Sequence, residues 1–360
     1  MRAYVSIRFA RVISIAYHST RHTVDKTGRQ ARGAHTEGTM RIDLMLTAAS
    51  LLLPFSAIAA AAYPEKALRI IVPYAPGGNI DITARTIAPG MSEALGQQVV
   101  VDNRGGAGGT LGAEIAAKSA PDGYTLLLGS SGTLSTAPPL YPRLGYDPLK
   151  DFATTSLVSN VPLVLEMHPL IPAHSVKEFI ALAKSRPGKI TMGSSGAGTT
   201  NHLSGELFQS ATGTRFIHIP YKGSGPGLID LMGGQIDIFF DQLSASIGFI
   251  QARKLRALAV TTLKRAAAMP ELPTLAESGL PGFDASTWTG VVLPAATPHD
   301  IVLKVHAALS KTLRAKATQD SFTRLGAETL ESTPEEFARF MRDDLAKWTK
   351  VVRAAGIKLE

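Results

Sequence analysis

From Leu68 onward the chain passes repeatedly from a short β-rich run, through a Gly-rich loop, into a helix-periodic stretch. Leu68–Tyr74 (LRIIVPY) runs into Ala75-Pro76-Gly77-Gly78, and a helix pattern follows from about Ile80, with Ile82, Ile87 and Met91 on one face. Gly96 ends it, Gln98–Val101 reads as the next strand, Leu111–Lys118 as a helix, and Tyr124–Leu128 as a third strand after the Asp122-Gly123 turn. β-α-β-α-β at this short spacing predicts a parallel sheet flanked by helices. The pattern resumes with strands at Val161–Glu166, Ile190–Gly193, Phe216–Ile219, Ile236–Phe240, Leu255–Val260 and Trp288–Leu293. Helices fall at His202–Ala211 and Gly227–Met232. Another opens at Ser175-x-x-Glu178, a capping-box spacing, with Val176, Phe179, Ile180 and Ala183 as its apolar face. Three helices close the chain, over about 298–315, 318–325 and 334–352. The last begins Thr333-Pro334-Glu335-Glu336, with Thr as cap and Pro at the first helical position. Phe337, Phe340, Met341, Leu345, Trp348 and Val352 form its expected buried stripe.

With 360 residues, 45% hydrophobic and 18% charged, the chain is globular rather than disordered, and long enough for two domains. The absence of cysteine removes disulfides, thiolate nucleophiles, Cys-bound zinc and iron–sulfur clusters. The net charge of +8 is concentrated in residues 1–62, where eight Lys/Arg face Asp25, Glu37 and Asp43. Later segments show no basic run interleaved with aromatics, so a nucleic-acid role has weak support.

The N-terminal excess belongs to an address. Met40-Arg41 is basic, Leu44–Phe55 (LMLTAASLLLPF) is apolar, and Ala57-Ile58-Ala59 places small residues where a signal peptidase reads. The run is shorter than the roughly 20 residues of a spanning helix, and Pro54 interrupts it; a membrane anchor is the competing reading. Residues 40–62 are therefore expected to be a secretory signal, cleaved near Ala59 or Ala62, with a soluble periplasmic product. Residues 1–39 do not fit ahead of it and suggest an upstream mis-start, with an organellar transit peptide as the rival reading.

Enzyme signatures fail in turn. The run Gly105-Gly106-Ala107-Gly108-Gly109-Thr110-Leu111-Gly112 puts Leu111 where G-x-G-x-x-G needs its last glycine, so a packed turn ahead of a helix is the expectation. Gly193-Ser194-Ser195-Gly196 lacks the closing glycine of a nucleophile elbow, which is Ala197. The histidines show no metal-ligand spacing. No catalytic residue, cofactor or metal is expected.

Three loops recur in one form: Pro76–Asp81, Gly129–Thr133 and Ser194–His202 each follow a strand, and each is built of Gly with small polar residues at or near a helix start. Such loops offer backbone N–H groups, hydroxyls and a favourable helix dipole, a site for a carboxylate without arginine. In open α/β sheets they gather at the carboxyl ends of strands.

Several stretches resemble one family from Tyr63-Pro64 to Ile357. They are IIVPYAPGGNIDITAR (70–85), VVVDNRGGAGGTLGAEIAAKSAPDGYTLL (99–127), YDPLKDF (146–152), MGSSGAGTTNHLSGELF (192–208), HIPYKGSGPGLIDLMGGQIDIFFD (218–241), KLRALAVTT (254–262) and LPTLAESGLPGF (272–283). They are similar to the Bug family, the periplasmic solute receptors of tripartite tricarboxylate transporters. Gly105, where the family commonly has Pro, and Ala252-Arg253-Lys254, where Gly-Lys is usual, depart from it in loops. The resemblance implies a two-lobed type II periplasmic-binding-protein fold, each lobe a mainly parallel sheet flanked by helices. Lobe one would hold 63–163 plus 287–360, and lobe two 164–286. It implies a first-lobe site on Gly77, Gly78, Asn79, Asp81, Ser130 and Thr133. The second-lobe site would fall on Ser194, Ser195, Gly198, Thr199 and His202, with Tyr221 and Asp241 nearby. It further implies a monomer that captures a small organic anion, a di- or tricarboxylate or related acid, for integral-membrane permease subunits. A receptor presenting its liganded state to a sensor kinase would share fold and site, and turnover on the same fold is the third option. Asp81 as a helix cap, His202 as a packed first-turn residue and Lys222 as a solvated charge are readings that remain open beside ligand contact. Arg85 and Arg104 are expected to brace loop backbones.

Overall fold

A computed structural model describes residues 63–355 and 357. The expected mis-start, 1–39, and the expected secretory signal, 40–62, lie outside the described residues. Among the described residues no helix is long and apolar enough to cross a membrane.

The first sheet is built on β1 (Leu68–Val72), β2 (Val99–Asn103) and β3 (Thr125–Ser130), with β1 central and parallel to both. Two helices connect them: α1 (Asn79–Leu95) and α2 (Thr110–Ala117). β9 (Ser286–Pro294) joins antiparallel to β3, and β4 (Phe152–Met167) joins antiparallel to β9. The second sheet takes the far end of β4. There it pairs with β7 (Ile238–Gln242) and β8 (Arg256–Val260), and β7 continues in parallel to β5 (Ile190–Ser194) and β6 (Phe216–Pro220). α3 (Val176–Ser185), α4 (Thr200–Thr212), α5 (Ser224–Met232) and α6 (Leu243–Gln251) connect these strands. The chain ends in α7 (His299–Arg314), α8 (Lys316–Arg324), a short β10 (Glu328–Thr329) on β4, and α9 (Pro334–Ala355).

Alternation on the strands sets the layers. Ile70, Val72, Leu126 and Leu128 face α1 and α7 through Ile87, Met91, Val305 and Leu309, all buried. Ile71, Leu127 and Val292 face the other way, onto Ala113, Phe337 and Met341. In the second sheet Leu165, Met192 and Phe240 pack on Phe179 and Phe208, while Phe239 faces Leu228 and Leu231.

Local chemistry sets the helix ends. Thr333 and Glu336 form a reciprocal capping box, each side chain taking the other's backbone N–H. Ser175 accepts from Glu178 N–H at 3.2 Å, but Glu178 reaches back to the N–H of His174, one residue before the expected partner. Gly96 and Gly213 close α1 and α4 in the left-handed region, at φ 69° and 68°. Two expectations need correction. The strand expected over Val161–Glu166 begins nine residues earlier, at Phe152, because one strand serves both sheets. Phe340 lies at the rim of the α9 stripe, edge-on to Trp288 but still 38% exposed.

Candidate functional site

Three helix N-termini point into one small cavity. α1 contributes Gly78, Asn79 and Ile80; α4 contributes Thr199, Thr200 and Asn201, with Ser195 just before it; α5 contributes Ser224. Tyr74, Ser130, Gln242 and Thr287 complete the wall. The first N–H groups of a helix have no acceptor within it, so each N-terminus offers donors and a partial positive charge. None of these lining residues is ionised at neutral pH. Tyr74 stays protonated, because burial pushes its hydroxyl up to about 12, and its oxygen lies 3.3 Å from Ser130 Oγ.

The wall is held by hydrogen bonds on its far side. Asn79 Oδ1 accepts from Ser244 Oγ at 2.7 Å, which turns Nδ2 away as a buried donor with no partner among the described residues. Behind α4, Ser195 Oγ donates to Asn201 Oδ1 at 2.5 Å, and Asn201 Nδ2 donates to Phe240 O and Asp241 Oδ1. Gln242 Nε2 donates to Thr287 Oγ1 at 3.0 Å, and Thr287 meets Thr200 at 2.7 Å. The network fixes the orientation of each side chain before any ligand arrives.

Of the residues expected at the site, Gly78, Asn79, Ser130, Ser195 and Thr199 line the cavity. The others stand behind it. Asp81 accepts from Gly77 N–H, Arg85 Nε and Asn103 Nδ2, each at 3.0 Å. Burial opposes its charge, but these donors outweigh it and hold the carboxyl below the usual range. Asp81 thus closes the turn before α1, and the Gly77 N–H is already taken. Thr133 Oγ1 accepts from Ser130 N–H at 3.1 Å and braces that loop. Ser194 Oγ meets His218 Nε2 at 2.6 Å. The His202 ring stacks on His218 at 4.1 Å, and its Nδ1 accepts from Gly198 N–H at 3.2 Å. Burial pushes His202 down to about 3 and His218 to about 4, so both rings are neutral at pH 7. Tyr221 donates to Asp230 at 2.7 Å, and Asp241 is buried behind Ser224. Lys222 is exposed. Arg85 and Arg104 brace loops through side chains, on Asp81 and Asp102, rather than through backbone as expected.

Sequence reasoning missed Tyr74, Thr200, Asn201, Ser224, Gln242 and Thr287. One signal was available for Ser224. His218–Gly223 followed by a helix repeats the strand–Gly loop–helix form of the other three loops.

The glycine run at 105–112 does more than turn the chain. A Cβ on Gly108 would lie 2.2 Å from Ala197 O, and one on Gly225 would lie 2.2 Å from Pro76 O. Backbone therefore meets backbone where residues 75–141 face residues 197–225. Ala75 N–H donates to Lys222 O at 2.8 Å, Thr136 Oγ1 donates to Gly198 O at 2.7 Å, and Tyr141 Oη lies 2.9 Å from Ala197 O and 3.0 Å from Ala107 O.

Residues 83–357 match the family model described as tripartite tricarboxylate transporter family receptor. The chain is 39% identical to protein BugT of Bordetella pertussis over 320 residues, covering 89% of this chain and 97% of that one. Its fold is similar to that of R. palustris Rpa4515 with adipate (37% identity, 82% of this chain and 99% of that one, TM-score 0.80). It is also similar to MatC (Rpa3494) from Rhodopseudomonas palustris with bound malate (33% identity, 81% and 100%, TM-score 0.78).

Proposed function

The chain belongs to the tripartite tricarboxylate transporter receptor family, whose members are solute-binding receptors and not enzymes, and from that premise we propose that it captures a small carboxylate in the cavity between α1, α4 and α5. The observation that carries the reading is Asn79 Nδ2, a buried donor without a partner at the start of α1, in a cavity lined by donors and no charged side chain. An anion accepts from such groups; a cation would meet the wrong end of three helix dipoles. Binding of adipate by one similar protein and of malate by another supports the ligand class.

In this reading the protein works in the periplasm as a monomer and hands its ligand to permease subunits. The leader carries it there. Lobe one is 63–163 plus 287–360, lobe two is 164–286, and both close on the ligand. Gly77, Gly78, Asn79, Asp81, Ser130 and Thr133 form or brace one jaw. Ser194, Ser195, Gly198, Thr199, His202, Tyr221 and Asp241 do so in the other, with Asn201, Ser224, Gln242 and Thr287 added. Presentation to a sensor kinase is the alternative; permease genes found beside this one would favour transport, and sensor-kinase genes there would favour the alternative.

A thermal-shift panel containing malate, adipate and tricarboxylates tests the ligand class. A ligand at 100 times its dissociation constant should add about 2.7 kcal/mol of stability. A panel in which amines or neutral sugars shift the protein and no carboxylate does would reject the reading.

A further inference from the structure

Two carboxylates lie behind the cavity wall, and among the described residues no cation pairs with them. Glu166 on β4 and Asp241 on β7 are both 0% exposed. The register sets Val164 opposite Asp241 and Glu166 opposite Phe239, so both acids stand on one face of the sheet, a diagonal step apart. Glu166 Oε1 and Oε2 and Asp241 Oδ2 have no hydrogen-bond partner among the described residues. Ser246 on α6 is the polar neighbour of Glu166, too poorly placed for a full hydrogen bond. Asp241 Oδ1, in contrast, accepts from Ser224 Oγ at 2.5 Å and Asn201 Nδ2 at 2.9 Å, two residues that line the cavity.

The ionisable groups on the packed elements are engaged elsewhere. On α4, His202 takes the Gly198 N–H and Glu206 lies near the His202 ring and accepts from Gln209. Asp230 on α5 holds Tyr221, and Asp237, just before β7, holds Thr191. Arg256 on β8 donates to the carbonyls of Ile171 and Ala173. α6 and β5 carry no ionisable residue, and His306 on α7 lies 3.1 Å from Thr155 O, eleven residues along β4 from Glu166.

Two carboxylates in such a setting cannot both ionise, since burial penalises each charge and each repels the other. Burial raises both, pushing Asp241 up to about 7. Resting on the reading of the cleft as an anion site, we propose that anion capture is linked to proton uptake by the Glu166–Asp241 pair, so that affinity for a carboxylate rises with acidity. An ionised Asp241 stands one side chain behind the cavity, repels an incoming anion and keeps the Ser224 and Asn201 donors turned toward itself. The arriving anion raises the pair's proton affinity, and a proton moves from solvent onto a carboxylate oxygen of the pair. No other bond forms or breaks.

Calorimetric titrations with malate and with adipate, in phosphate and in Tris, measure this uptake through the different ionisation heats of the buffers. Between about pH 6.5 and pH 8 the dissociation constant should rise roughly three- to tenfold, with a fraction of a proton taken up near neutrality. Asp241→Asn, which holds that position neutral, should flatten the dependence to within about twofold. Buffer-independent heats with a flat profile, or Asp241→Asn keeping the full slope, overturn the proposal. Infrared spectroscopy of the ligand-free protein separates this from the ligand reading. Should neither dicarboxylate bind, the ligand class is wrong. A protonated-carboxyl band at neutral pH that disappears in Glu166→Gln or Asp241→Asn would then still support the shared proton, and its absence from the unmodified protein overturns it.

Discussion

Gly198 and Thr199 are neighbours before α4, yet their substitution should have different consequences. Gly198 sits at φ 77°, where an L side chain is strained, and its carbonyl accepts from Thr136 Oγ1 in the segment after β3. Gly198→Val should displace the loop and abolish binding. Thr199 lines the cavity and donates to Gly196 O at 2.7 Å, so Thr199→Val should weaken binding by about 1–2 kcal/mol while leaving the loop in place. Calorimetry on both folded variants checks this, and normal binding by Gly198→Val would place the site elsewhere. Lys222→Ala should change affinity little, since Lys222 is exposed and outside the cavity wall. At this scale the sequence reveals loop chemistry but not orientation. Gly78, Asn79 and Thr199 are legible because they belong to a strand–Gly loop–helix pattern. Gln242 and Thr287 are not, because a lone polar residue at the end of one strand and near the start of another carries no local mark. Only the sheet brings them within 3.0 Å.

The start of α4 depends on a histidine remaining neutral. His202 accepts the Gly198 N–H, which an imidazolium cannot do. Its folded value, about 3, and that of His218, about 4, lie below the ordinary 6.5 of an unfolded chain. The unfolded state therefore binds more protons than the folded state as pH falls below 6.5, and stability falls toward the folded values. The loss should approach 1.4 kcal/mol per pH unit for each ring, less whatever solvent screens at the part-exposed His218. Urea unfolding at about pH 7 and about pH 4.5 measures it, and His202→Gln, with an amide in place of the titrating ring, should lose less on acidification. An equal loss in the variant would assign the acid sensitivity to other groups. β4 shows why one element was only partly legible. Its first half, Phe152–Asn160, is rich in Thr and Ser, a composition that reads as loop. Thr155 donates to Val291 O, Ser156 Oγ accepts from Ser332 N–H, and Ser159 meets Thr289 at 2.8 Å. Hydroxyls satisfied by a neighbouring strand or loop are buried without an apolar signature.

For the whole molecule, the proposed closure of two lobes should depend on glycine where backbone approaches backbone, at Gly108 against Ala197 and Gly225 against Pro76. Gly108→Ala would place a methyl 2.2 Å from Ala197 O, at φ 62°. The variant should fold, but its cleft should close less readily, with affinity reduced on the order of tenfold or about 1.4 kcal/mol. Small-angle scattering with saturating malate or adipate should show compaction of the unmodified protein and a smaller change in the variant. Identical compaction in both would remove Gly108 from the closing mechanism. Helix N-termini, amides and hydroxyls should recognise the anion without a cation. A crystal structure with malate or adipate bound tests it most directly. Carboxylate oxygens should lie about 3 Å from Asn79 Nδ2 and from N–H groups in the first turns of α1 and α4, with no Lys or Arg in contact. A carboxylate held by Lys222 or any other cationic side chain, or seated outside this cavity, would contradict it.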